Sequence, residues 1–206
     1  MGALKGSISY TLYYVEGTLE PGFVDAFMER IEEFRFRELT PESEDDMTFG
    51  WCRIDDMLRA DIDRTGAFRG GYLTLGMRVD RWSLPGALLK ARIAERQQQV
   101  MTEFSKAKLS RMEKERVRET VTREMKGQTL PSASMVDMVW QLDEGRVRFW
   151  SQSNTRREQF EELFESTFGM RLQPSGPYIA AVNCGLTDEA TGRLADVEQA
   201  AFTNFG

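Results

Sequence analysis

Residues 71–82 read Gly71-Tyr72-Leu73-Thr74-Leu75-Gly76-Met77-Arg78-Val79-Asp80-Arg81-Trp82, and this stretch decides the fold class. Leu73, Leu75, Met77 and Val79 face one way; Tyr72, Thr74, Arg78 and Asp80 face the other. A period of two with β-branched and aromatic residues marks a strand with one apolar side. Downstream of Trp82 the period changes. Ser83 reads as an N-cap with Pro85 in the first turn, and a helix is expected to about Phe104. A second helix, or a bent continuation of the first, is expected over 107–126, with Gly127 closing it. Its composition supports one narrow apolar stripe, so the pair is expected to project rather than to be buried.

Past Pro131 the period returns to two. Val136, Met138, Trp140 and Leu142 form one strand face, Asp143-Glu144-Gly145 a turn, and Val147 and Phe149 the return strand. A helix over 155–168 carries Phe160, Leu163, Phe164 and Phe168 on one side. Residues 178–184 read as a short apolar strand, and Thr187 caps a last helix with Ala190, Leu194 and Val197.

Upstream of the deciding strand, Phe49-Gly50-Trp51-Cys52 is a short apolar strand or turn, and 61–71 is a glycine-punctuated loop. Pro21 opens a helix with Phe23, Phe27, Ile31 and Phe34 at three- to four-residue spacing. An acidic loop follows, with Glu42, Glu44, Asp45 and Asp46. Residues 7–15 alternate with Ile8, Tyr10, Leu12 and Tyr14 on one face. Runs of strand and helix in this order give an α+β fold, a mostly antiparallel sheet with packed helices and a protruding basic helical pair. The expected organisation is an N-terminal part, 1–84, a basic helical projection, 85–130, and a C-terminal part, 131–206, packing with the first.

The chain has 206 residues, 41% hydrophobic and 29% charged, which is the balance of a globular protein. It has no histidine, so histidine-based triads and imidazole metal sites are excluded. Cys52 and Cys184 make no CxxC pair and read as two reduced, buried thiols. No apolar run is long enough to span a membrane and no apolar signal segment opens the chain, so a cytoplasmic location is expected. No Walker A loop, GxGxxG or GxSxG is present, and no catalytic residue, cofactor or metal ligand is assigned.

Net charge is −6, unevenly placed. Residues 1–65 carry −8, whereas 88–126 carry eleven basic and six acidic side chains. On a helix over 107–126, Lys108, Arg111, Lys114 and Arg118 fall within about one third of the circumference. Val117 and Val121 lie beside that arc and can dock the helix; Glu115 and Glu119 edge it. The preceding helix adds Lys90, Arg92 and Arg96. Long cations on a rigid helix suit phosphate contact without base readout. The same pattern also fits a solvated face laced with i,i+4 pairs. Asp55, Asp56, Asp61 and Asp63 could hold Mg²⁺ for phosphodiester cleavage, yet no general base or catalytic lysine accompanies them, and a solvated acidic loop reads better.

The order of these features resembles the recombination-associated protein RdgC family over about residues 5–175. The elements are Phe49-Gly50-Trp51, the strand from Gly71 to Val79, Leu84-Pro85 leading into a long helix, and the Lys90-Ala91-Arg92-Ile93-Ala94-Glu95 run. The charged helix through Glu113-Lys114-Glu115-Arg116-Val117-Arg118-Glu119, then Leu130-Pro131, Met138-Val139-Trp140 and a helix ending in Phe168-Gly169 complete the series. The resemblance implies a non-enzymatic, nucleoid-associated protein, a dimer that encircles duplex DNA with little sequence preference and competes with a strand-exchange recombinase. Members of that family run on past the equivalent of Gly206, so it also implies a shortened form lacking the C-terminal part. Phe202 and Phe205 are candidate oligomer contacts. The reading from another class is a protein-interaction or scaffold module of the same fold that has lost DNA binding.

Overall fold

The 72–81 stretch is the strand around which the sheet is assembled in the computed structural model, which describes residues 2–6, 9–43 and 45–196. The elements are β1 (Thr11–Val15), α1 (Phe23–Glu33), β2 (Met47–Cys52), α2 (Arg64–Ala67), β3 (Phe68–Arg69), β4 (Tyr72–Arg81), α3 (Gly86–Glu103), α4 (Arg111–Gly127), β5 (Ser132–Gln141), β6 (Arg146–Phe149), α5 (Asn154–Phe168), β7 (Leu172–Pro174), α6 (Pro177–Asn183) and α7 (Asp188–Gly192). The strands form one antiparallel sheet in the order β2-β4-β5-β6-β1-β7, and β3 pairs with the start of β4. The fold is α+β.

The apolar side of β4 behaves as its alternation demands. Leu73, Leu75, Met77 and Val79 are buried, opposite Trp140, Met138, Val136 and Ser134 of β5. α1 contributes Phe27 and Ile31 to this core, and α5 contributes Phe160, Leu163, Phe164 and Phe168. Phe149 stacks on Phe160 at 4.1 Å, and Trp51 meets the same ring edge-on at 6.3 Å. The Trp51 indole donates to Thr167 Oγ1 at 2.8 Å, so its one polar atom is satisfied inside the core.

The opposite side of β4 is also covered near its end. Arg78 and Asp80 are 7% and 1% exposed. They form a two-pronged pair at 2.9 and 2.7 Å, with Arg78 over the Phe36 ring and donating to the Met57 carbonyl. Charge is tolerated here because every oxygen and most guanidinium donors find a partner.

Several expectations are corrected. In β1 the buried residue is Tyr13, not the Tyr10–Leu12–Tyr14 face, because Tyr13 lies opposite Val147 on the side that α5 covers. Residues 177–183 are helix α6, not a strand: Pro177 sets the first turn, and a short apolar run cannot be told from a helix by periodicity. The strand in this region is β7, which pairs with β1. Part of the 61–71 loop is the single turn α2, capped by Asp63. Ser83 caps nothing; α3 starts at Gly86 after Pro85. Gly127 is the last residue of α4 and Gln128 is its C-cap. The helical pair is two helices: α3 stops at Phe104, and Ser105 adopts φ +50°. The expectations for Ile8, Glu44, Val197, Phe202 and Phe205 lie outside the described residues.

Gly50 is required by close approach. A Cβ there would stand 2.7 Å from the Phe36 backbone, which runs beside β2 through Phe36 N–H donating to the Trp51 carbonyl at 2.7 Å. Gly50→Ala is therefore expected to cost roughly 1–3 kcal/mol of stability for overpacking without relief, read as a lower urea midpoint. An unchanged midpoint would mean that the 34–36 segment moves aside freely.

Candidate nucleic-acid interface

α4 begins with a complete capping box. Ser110 Oγ accepts from Glu113 N–H, and Glu113 Oε2 accepts from Ser110 N–H at 2.8 Å. Lys106 pairs with the same carboxylate. The Lys106 hydrogen bond, with those from Ser110, holds the Glu113 carboxyl down to about 2. This cap places Lys108 outside the helix, so the expected four-cation stripe is corrected: Arg111, Lys114 and Arg118 share α4, whereas Lys108 stands in the preceding loop. Leu109, Val117 and Val121 are buried and seat α4; α3 has no buried residue and packs on α4.

The assigned cations are all exposed. Arg92 pairs with Glu95 at 3.1 Å, and Arg96 donates to Gln99. Both border a cleft of about 290 Å³ between α3 and α4, beside Glu124 and Met125. Lys90, Lys108, Arg111, Lys114 and Arg118 have no ion-pair partner among the described residues. Only Arg118 of the seven borders a larger groove, about 1390 Å³, between α4, the ends of β4 and β5, the 41–46 loop and the start of α5.

That groove holds cations the periodicity did not single out: Arg81, Arg116, Arg123, Lys126 and Arg156. Lys126 is a strut, 4% exposed, bonded to Asp46 at 2.9 Å and to the Ser43 carbonyl. Arg116 and Arg123 are seven apart on α4 and face the same way. Their spacing was visible in the sequence; that the face looks onto a sheet end was not. Glu42, Asp46, Glu115 and Glu119 border the groove too, so its lining mixes signs.

The acidic loop is engaged elsewhere. Asp55 takes both prongs of Arg53 at 3.0 and 2.9 Å, which hold its carboxyl down to about 2. Asp61 takes both prongs of Arg59, Asp63 caps α2 and Asp56 accepts from Leu58 N–H. Among the described residues no three His, Cys, Asp or Glu side chains are grouped to hold a metal ion. Cys52 is buried, and burial pushes its thiol up to about 12; Cys184 is exposed, which corrects the expectation for that thiol. No described helix is long and apolar enough to cross a membrane.

A one-sheet α+β platform with a long helical pair inserted between two neighbouring strands, and a cation-bearing groove where they meet, defines the class of this protein. The family model described as "Putative exonuclease, RdgC" matches residues 9–180, and the chain belongs to the RdgC family of recombination-associated, DNA-related proteins. A search of the curated proteins gave no match.

The Glu113 cap has a pH signature. A carboxyl whose pKa is lower folded than unfolded stabilises the fold above its ordinary value of 4.5, and that contribution is lost as pH falls towards 2. Stability measured between pH 5.5 and 2.5 is expected to fall less steeply in Glu113→Gln than in the parent. Ser110→Ala should cost about 1 kcal/mol at neutral pH as a lost N-cap.

Proposed function

We propose that this chain is a non-enzymatic, sequence-independent DNA-binding protein that works as an oligomer, at least a dimer, on duplex DNA in the nucleoid. Bound there, it modulates recombination by limiting access of a strand-exchange recombinase. The observation that carries this reading is the groove of about 1390 Å³, with Arg116, Arg118 and Arg123 along one wall and Arg81 and Arg156 across from it. Membership of the RdgC family supports it. Arg111 and Lys114 extend the α4 cations beyond the groove, and Lys90, Arg92, Arg96 and Lys108 add to the positive field of the 85–130 arm. An acidic protein meets a polyanion in this way because residues 88–126 concentrate eleven cations against six acids, although Glu42 and Asp46 also reach the groove.

The name of the family model includes the word exonuclease. Against a metal-dependent nuclease in the Asp55–Asp63 loop stands the use of its carboxylates: Asp55 and Asp61 each give both oxygens to an arginine. A protein-interaction module is favoured by one observation, the exposed Phe104 and Met112 flanking the turn of the helical pair, 61% and 70% accessible.

Mobility-shift titrations of duplex and single-stranded DNA at two salt concentrations, with and without Mg²⁺, separate the three. Salt-sensitive shifting with intact DNA is expected. Mg²⁺-dependent loss of substrate would establish a nuclease, and no shift would leave the interaction module. Replacing Arg111, Lys114 and Arg118 by Ala should flatten the slope of log K against log salt by about 2.7 if each cation touches one phosphate of duplex DNA. An unchanged slope in a folded variant would remove these three from the interface.

A further inference from the structure

Among the described residues eleven of the 21 arginines pair with a carboxylate. Arg30, Arg35, Arg53, Arg59, Arg64 and Arg78 each pair with an acid. Arg81 and Arg156 are two of the ten that do not, and they line the same groove near enough for the Arg81 charge to act on Arg156. Arg81 is the last residue of β4, opposite Ser132 of β5; Arg156 is in the first turn of α5. Neither has an acidic partner among the described residues. Arg156 is instead held by neutral groups: it donates to Ser134 Oγ at 2.9 Å and to Gln159 Oε1 at 3.1 Å. Ser134 Oγ in turn donates to the Val79 carbonyl at 3.3 Å, so the hydroxyl fixes the guanidinium in place without neutralising it. Burial and then the Arg81 charge hold Arg156 below its ordinary value, so the site as it stands disfavours the charge it contains.

A second observation points the same way. Trp82 follows Arg81, lines the same groove and is 7% exposed. Its indole N–H is buried and has no acceptor. An unpartnered buried donor in the lining of the groove that also holds two uncompensated guanidiniums adds to the positive potential there. A singly charged backbone oxygen pair matches the planar forks of arginine.

We infer that Arg81 and Arg156, the latter steadied by Ser134, form a clamp for one phosphodiester of a DNA strand running along the groove. This rests on the DNA-binding reading and adds to it the point where the backbone is gripped. The occupant is a polymer of phosphates rather than a lone phosphoryl group, because the facing wall repeats its cations. Arg116 and Arg123 are about 10 Å apart along α4, two separate positive positions across from the clamp. The clamp sits on the sheet end, not on the arm, so it fixes the strand relative to the rigid part of the molecule.

The test uses the full chain and a fluorescently labelled duplex, with affinity read by anisotropy from 50 to 200 mM salt. Each of Arg81→Gln and Arg156→Gln is expected to weaken binding and to lose about 3.5-fold less affinity than the parent across that range, the effect of one phosphate contact. Arg64→Gln, whose arginine pairs with Asp25 outside the groove, is the control and should match the parent. Arg156 has structural hydrogen bonds, so urea midpoints accompany the series; Arg81 is exposed and its variant carries the test if Arg156→Gln unfolds. Mass-spectrometric mapping of phenylglyoxal modification should show Arg81 and Arg156 protected by duplex. If the parent binds duplex while the Arg81 variant keeps its affinity and slope, the clamp is wrong and the DNA-binding reading stands. If the parent binds no DNA, both fall. If a phosphopeptide or inorganic phosphate protects the two arginines and duplex does not, the occupant is a single phosphoryl group and the proposal is overturned.

Discussion

The pairing of β4 with β5 along their ten-residue lengths, Tyr72 opposite Gln141 through Arg81 opposite Ser132, is the constraint on which the rest depends. These two strands are antiparallel neighbours, yet α3 and α4 lie between them in sequence. An insertion in a hairpin must leave and return at one end of the sheet. The entropic cost of closing so long a connection grows only logarithmically, and the ladder and the apolar face beneath it offset it. Because the chain returns beside its point of departure, the end of α4 is pinned against the sheet. Lys126 makes that fixed point, buried and bonded to Asp46 and Ser43 of the loop before β2. The groove is the space this geometry leaves between α4 and the start of α5.

The aromatic core has a different task. Phe149, Phe160, Trp51 and Trp140 bind α5 to the sheet, and the Trp51–Thr167 hydrogen bond sets the helix's position along its axis. Rings of this size tolerate little sliding in a close-packed interior. Arg156 is in the first turn of α5, so its guanidinium stands where the core puts it. Positional precision at the groove is thus inherited from packing on the far part of the same helix.

How much was legible in the sequence depends on range. β4, the β5–β6 hairpin, α1 and α5 announce themselves because their apolar residues repeat within one element. The buried face of β1 does not: both of its faces carry tyrosine, and Val147 and α5 decide between them. β7 is three residues long and exists only as a partner of β1. The α4 start was readable and missed: Ser110-Arg111-Met112-Glu113 is a capping-box pattern, and using it would have taken Lys108 off the stripe. Arg81 and Arg156 could not have been paired by any local rule. They are far apart in the chain, and only the register of β4 and β5 with the docking of α5 brings them together.

The distribution of charge then makes physical sense of an acidic member of a DNA-related family. In the 53–63 loop Arg53 and Arg59 each stand two residues from the aspartate they bind, so those carboxylates are spent locally and project little field. On α4 the lining cations are interleaved with Glu115 and Glu119, which weakens any single contact. In the proposed reading a mixed wall of this kind would attract a polyanion loosely and without sequence preference. The sheet end differs, because Arg81 and Arg156 act on one another electrostatically, Arg156 is partly desolvated, and neither has an acidic partner among the described residues. A field in a less polar site falls off more slowly and is screened less by salt. In the proposed DNA-binding reading the arm would supply breadth of attraction and the sheet end grip, a division that follows from which of the two is held by the core.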